Sequence, residues 1–216
     1  MVGEENTGGI IKRNSKAVLA NRLLAFVATG LSTSFKIPVV FFFVRRLSGT
    51  KLHKLTCHVI KELELEGFPV ERIVIDNAST NVKMFKCFGN GKVVPFVAHP
   101  LDRTRKLFLS YDYTHLIKNL RNLFIDRTFD VCGQNVSFTP IVKVREIKKK
   151  YAIFRPMRKL TSKHTQTNSL DKLKVKFAKD IFSKDMIATL KLFQNYDVAG
   201  FADIDATIEF LEINCL

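Results

Sequence analysis

The chain has 216 residues, with 35 Lys+Arg against 20 Asp+Glu, a formal charge of +15, 46% apolar residues and 25% charged ones. That balance is globular rather than disordered, and the length admits one large or two small domains. The longest apolar run, Ile37 to Val44, ends on Arg45 and Arg46 and is too short to span a bilayer; Glu4 and Glu5 stand where a secretory signal needs cations, so an intracellular protein with no membrane partner is expected.

Two β-branched and aromatic segments, Leu23 to Gly30 and Ile37 to Val44, joined by Leu31-Ser32-Thr33-Ser34, predict an antiparallel strand pair with Pro38 at a strand entrance. Leu52, Leu55, Val59, Ile60 and Leu63 then recur at helical spacing, and Gly67 follows as a stop. Arg72 to Asp76 reads as a short apolar strand ending on a carboxylate, and Val82 to Phe88 as a helix closed by Gly89. Leu107 to Tyr111 is a further strand, and a helix runs from near Thr114 through Leu116, Ile117, Leu120 and Leu123. Strands alternating with helices in this order imply an α/β unit with a mixed sheet and helices on its faces.

From Ile125 to Met157 the pattern weakens, with Gly133, Pro140, Pro156 and a lysine run as punctuation. Beyond Ser169, the residues Leu170, Leu173, Phe177 and Ile181 predict one helix. Met186, Ile187, Leu190 and Phe193 predict a second with Ser183 as its cap, and Asp203 to Ile213 a last one. The organisation expected is an N-terminal segment 1–17 read as disordered, an α/β part 18–128 and a mostly helical part 129–216.

Charge is uneven along the chain. Residues 101–160 carry 14 basic and 5 acidic groups, whereas residues 161–216 carry 7 and 8. The excess is densest in Lys143, Arg145, Lys148, Lys149, Lys150, Arg155, Arg158 and Lys159, opposed by Glu146 alone. Such a cluster attracts a phosphate backbone through counterion release, which points to a nucleic-acid partner. A solvated loop or a localisation signal accounts for the same run. After Gln194 no Lys or Arg occurs, while Asp197, Asp203, Asp205, Glu209 and Glu212 make a tail unsuited to nucleic acid.

Two constellations are candidates for chemistry. Asp76 closes an apolar strand, the rim position where α/β sheets place ligands and metals, although Asp-Asn-Ala-Ser is equally a turn former. Asp112 precedes a helix on which His115, Lys118 and Arg121 recur every third residue, a polar stripe that suits phosphate or simply solvent. There is no Gly-x-x-x-x-Gly-Lys-Ser/Thr loop, the histidines have no ligand spacing, and Cys57, Cys87, Cys132 and Cys215 read as reduced, buried structural thiols.

Taken in order, several stretches resemble the P-element family of DNA transposases, including the relatives with an N-terminal THAP zinc finger. They are Leu24-Ala-Phe-Val-Ala-Thr-Gly-Leu31, Lys36-Ile-Pro-Val-Val-Phe-Phe-Phe43, Gly67-Phe-Pro-Val70 and Ile73-Val-Ile-Asp-Asn-Ala-Ser-Thr-Asn81. His99-Pro100, Asp112-Tyr-Thr-His-Leu-Ile-Lys-Asn-Leu-Arg-Asn122, Lys159-Leu-Thr-Ser-Lys-His164, Lys172-Leu-Lys-Val-Lys-Phe-Ala178 and Ile181-Phe-Ser183 follow.

The resemblance implies an RNase H-like core of which part is present, interrupted by a helical domain that in the family binds GTP. It implies a triad of two aspartates and a glutamate holding Mg2+ for DNA cleavage and transfer, with Asp76 as the second aspartate and the other two acids outside this chain. The functional expectation is a transposase fragment, catalytically incomplete, nuclear, DNA-binding and able to self-associate. The alternative is a transposon-derived module that binds nucleic acid or protein without chemistry.

Overall fold

The computed structural model describes residues 4–11, 19–131, 133–151 and 157–215. The chain divides into two compact units that part between Asp112 and Tyr113. This lies ahead of the expected boundary because helix α3 (Tyr113–Asp126) sends Ile117 and Phe124 into the core of the second unit.

In the first unit, β1 (Arg22–Thr29) pairs antiparallel with β2 (Lys36–Val44), from Arg22 opposite Val44 to Thr29 opposite Lys36. Phe26 faces Val40 and Val27 faces Pro38, so Val39 is an extra residue at a bulge. Pro38 therefore sits beside an irregularity inside the strand, where its missing N–H is tolerated, and not at the entrance. Part of the segment before residue 18 is also structured: the Asn6 N–H donates to the Phe43 carbonyl at 2.8 Å and the Phe43 N–H to the Asn6 carbonyl at 3.1 Å.

Helix α1 (Gly49–Leu65) starts on Ser48, whose hydroxyl accepts from the Lys51 N–H at 3.2 Å, and is followed by Gly67 at φ +81°. It packs closely on α2 (Ser79–Phe88): a side chain at Gly49 would collide with Lys83. A three-stranded sheet holds β3 (Arg72–Ile75), β5 (Lys106–Tyr111) and β4 (Phe96–Ala98) in the order β3-β5-β4. β3 runs parallel and β4 antiparallel to β5, giving the mixed sheet that the element order implied.

Alternation decides which side chains are buried. Leu24, Phe26, Ile73, Ile75, Leu107 and Leu109 pack with Leu52, Ile60, Met84 and Phe85 of α1 and α2. Leu23, Val27, Phe41, Val74, Phe96 and Phe108 are exposed.

The second unit is mostly helical. After α3 come the short hairpin β6 (Phe129–Val131) and β7 (Gln134–Val136), then α4 (Thr139–Lys150), α5 (Ser162–Thr165), α6 (Ser169–Lys172), α7 (Val175–Ile181), α8 (Lys184–Asn195) and α9 (Asp205–Ile213). Its core centres on Phe124, which contacts the rings of Phe129, Phe138, Phe182 and Phe210. Ser183 caps α8 through the Met186 N–H at 3.3 Å, as expected.

Two sequence expectations change here. Pro140 does not interrupt structure but opens α4, where a missing N–H is free of cost, and Lys148, Lys149 and Lys150 complete its last turn at the negative end of the dipole. The single helix expected over 170–181 is two, α6 and α7, divided at Leu173 and Lys174.

Candidate functional site

β3 delivers Asp76 to the C-terminal rim of the sheet. Its Oδ1 accepts from the Ala78 N–H and from the Asn81 side-chain amide, both at 2.8 Å. The turn-forming role and the rim position are thus filled by the same residue, with Oδ1 committed to the turn. Oδ2 accepts from no group among the described residues.

Asp112 follows β5, the parallel neighbour of β3. Its N–H donates to the Ile75 carbonyl at 2.6 Å, one step past the Ile75–Tyr111 pair. Asp76 and Asp112 therefore leave the sheet at the same rim from adjacent parallel strands. Sequence reasoning placed Asp112 with the helix after it and missed this relation; the signal available was that both aspartates directly follow an apolar strand. Among the described residues no three His, Cys, Asp or Glu side chains are placed to share one metal ion.

The stripe expected on α3 does not stay on one solvent face. Arg121 is fully buried, and its Nη2 donates to the carbonyls of Asp171 at 3.1 Å, Lys172 at 3.2 Å and Lys174 at 3.5 Å. Among the described residues its Nε and Nη1 have no partner. Burial pulls this guanidinium below its usual range, offset in part by Asp171. His115 and Lys118 are half-buried. The arginine is thus a strut inside the second unit, and its hold on the 171–174 carbonyls takes acceptors that a continuous helix would use.

The basic set also separates into two kinds of side chain. Lys148 Nζ donates to the carbonyls of Met157 at 3.1 Å, Arg158 at 2.8 Å and Leu160 at 2.6 Å. Arg145 donates to the Thr165 hydroxyl at 3.1 Å, and Lys143 to the Gly200 carbonyl at 3.3 Å. Lys149, Lys150, Arg158 and Lys159 are exposed. Arg155 lies outside the described residues, as does Cys132.

Cys57 and Cys215 are partly buried and Cys87 is exposed, so the three described thiols form no disulfide among the described residues and are not uniformly interior. Burial pushes the Cys57 thiol up. Exposure of Cys87 follows from its place near the end of α2, on the side away from the buried Met84 and Phe85.

A charged cluster in the first unit was not foreseen. Arg105 grips Glu64 with both Nη atoms, at 2.8 and 3.2 Å, and the Val70 N–H donates to Glu64 Oε1 at 2.6 Å. His99 Nε2, fully enclosed, lies 3.3 Å from the same oxygen. The Arg105 hydrogen bonds hold the Glu64 carboxyl below the usual carboxylate range against the opposing effect of burial, with the Val70 N–H adding to the same direction.

The model of the TNP-like RNase H N-terminal domain matches residues 1–89, and that of the TNP-like GTP-binding insertion domain matches residues 114–215. The transposable element P transposase of Drosophila melanogaster is 28% identical over 165 residues, covering 76% of this chain and 21% of its own length. The DNA transposase THAP9 of Homo sapiens is 23% identical over 201 residues, covering 90% of this chain and 22% of its own. The chain thus spans about a fifth of the length of these curated relatives. A solved Drosophila P element transposase strand transfer complex superposes with a TM-score of 0.74 at 25% identity, covering 94% of this chain and 44% of that one.

Proposed function

We propose, from the premise that the chain belongs to the P-element-type family of DNA transposases, that it takes part in DNA strand cleavage and transfer with Asp76 as one carboxylate of a shared magnesium site. The observation that carries this reading is the position of Asp76: it follows a parallel strand, Oδ1 is fixed by the turn, and Oδ2 is unpartnered among the described residues. Fixing one oxygen sets the carboxylate rotamer before any ligand arrives, so little order has to be gained on binding.

Magnesium ions bound there supply activation of the attacking oxygen and stabilisation of the leaving one. Each ion keeps several waters and needs more than one carboxylate among its ligands to stay in place. Among the described residues no three His, Cys, Asp or Glu side chains are placed to share one ion, so this reading requires further acids beside Asp76 before catalysis can occur. The exposed Lys149, Lys150, Arg158 and Lys159 suit a DNA backbone. A nuclear location follows from that substrate, and guanine-nucleotide binding by residues 114–215 from the insertion-domain match.

The test is a magnesium-dependent cleavage assay on a protein extended at both ends. Asp76→Ala should abolish cutting. A variant that cuts DNA as well as its parent would remove Asp76 from the site.

A further inference from the structure

The three-stranded sheet of the first unit has one packed face and one open one. Ile73, Ile75, Val97, Leu107 and Leu109 pack with the side chains of α1 and α2. Alternation sends Arg72, Val74, Phe96, Ala98, Lys106 and Phe108 to the other side. There Val74 is 58% exposed, Phe96 44% and Phe108 38%, and Arg72 and Lys106 are exposed as well.

The register turns this set into a row. Arg72 pairs with Phe108 and Phe108 with Phe96, so a guanidinium and two rings lie side by side across β3, β5 and β4. The ring centroids are 6.2 Å apart. Lys106, opposite Ala98, holds its ammonium 4.5 Å from the Phe96 centroid. None of the six side chains is acidic. Glu71, one residue before the row, acts on Arg105.

Rings left in water beside two cations offer what an unpaired nucleotide needs: a π surface for the base and a positive charge for its phosphate. A duplex cannot use them. Its bases rise 3.4 Å per step along each strand and cover one another, whereas these rings stand 6.2 Å apart. Neighbouring bases reach both rings only in a strand drawn out of helical stacking. An apolar protein surface suits the face less well, because it would strip water from Arg72 and Lys106 and return no counter-charge. The Lys106 contact is no obstacle, since an exposed cation–π pair is weak and the ammonium can leave the ring for a phosphate.

From this geometry we infer that the open face at Arg72, Phe108 and Phe96 binds single-stranded DNA, with two consecutive bases on the rings and the flanking phosphates on Arg72 and Lys106. The row stands four residues before Asp76, roughly 13 Å along β3, and includes none of the α4 lysines. It is a separate DNA contact, resting on this face and not on the Asp76 chemistry.

The test uses the full chain. That chain has no tryptophan, so Phe108→Trp places a lone fluorophore in the row. An oligothymidine of about eight nucleotides, a span typical of such platforms, should quench it saturably. An abasic strand of equal length keeps the phosphates and should bind at least about fivefold more weakly, the effect of losing one stacked base. Phe96→Leu with Phe108→Leu keeps apolar cover without π surfaces and should bind the two strands alike. Arg72→Gln with Lys106→Gln should lower the slope of log affinity against log salt by about 0.7 for each phosphate contact removed. Equal quenching by the abasic strand or by a duplex, or a leucine pair that still prefers bases, overturns the inference. Self-association that buries the tryptophan and shuts out thymidine overturns the assigned occupant. Magnesium-dependent cleavage by an extended protein is a different readout, so failure here leaves the reading of Asp76 standing.

Discussion

The Asp112 N–H donates to the Ile75 carbonyl at 2.6 Å, which extends the parallel β3–β5 ladder by one step and sets Asp112 level with Asp76. Asp76 has both a turn and a proposed ligand role, and two substitutions separate them. Asp76→Asn keeps an oxygen for the Ala78 and Asn81 donors, so unfolding by urea should shift by no more than about 0.5 kcal/mol. Asp76→Ala loses both bonds and should cost about 1 kcal/mol. Cleavage by an extended protein should vanish in both. Cutting by the Asn variant would mean that the negative charge is not needed.

The lysine run divides by what each ammonium already holds. Lys148→Ala removes a donor shared by three carbonyls, of which that of Met157 still accepts from the Leu160 N–H and that of Arg158 is at an exposed bond, so stability should fall by about 1 kcal/mol, chiefly through the part-buried Leu160 carbonyl. Lys149→Gln with Lys150→Gln should leave unfolding unchanged. That pair should weaken DNA binding and lower the slope of log affinity against log salt by about 0.9 for each phosphate contact removed. A slope equal to the parent's would make these exposed lysines solvent-facing only.

Glu64 gives the first unit a defined acid limb. Its folded carboxyl lies below the ordinary value of 4.5, chiefly through Arg105. A depressed carboxyl contributes stability that is fully present above its unfolded value and disappears as pH falls through the folded one. Stability measured from pH 7 downward should thus stay flat to about pH 5, then decline, by linkage to this group. Glu64→Gln should flatten that decline and lower stability at neutral pH. An unaltered acid limb in the variant would assign the loss to other carboxylates.

Much of this architecture was legible in the sequence where an element was long enough to show its period. β1, β2, α1, β3, β5, α3 and α8 all declare themselves by alternation or by helical recurrence. β4, β6 and β7 have three residues each, fewer than two repeats of a strand pattern, and escaped notice. α4 was hidden because Pro140 and the lysines look like loop residues, although proline suits a first helical turn and cations suit a last one. The rim position of Asp76 was legible because a local motif places it. The level position of Asp112 was not, because strand register joins residues distant in the chain, and periodicity carries no information about register.

Arg121 shows the same limit most sharply. Three-residue spacing identifies a helix face but not which medium it faces, and the acceptors that bury this guanidinium lie about fifty residues further on. Arg121→Ala removes the donor to the Asp171, Lys172 and Lys174 carbonyls and opens a void, which should cost about 3–5 kcal/mol in urea unfolding. Arg121→Met restores most of the volume without any donor, so the part of the loss it fails to recover measures the guanidinium hydrogen bonds; the Asp171 and Lys172 carbonyls still accept from the Lys174 N–H and the Asn122 amide. Arg121→Lys returns a cation with three donors on a shorter reach and should fall between the two. Hydrogen exchange gives the local signature: amides of 171–175 should exchange faster in the Ala and Met variants, while those of α8 follow global unfolding alone. Parent-like exchange at 171–175 in Arg121→Met would show that the break between α6 and α7 holds without the guanidinium.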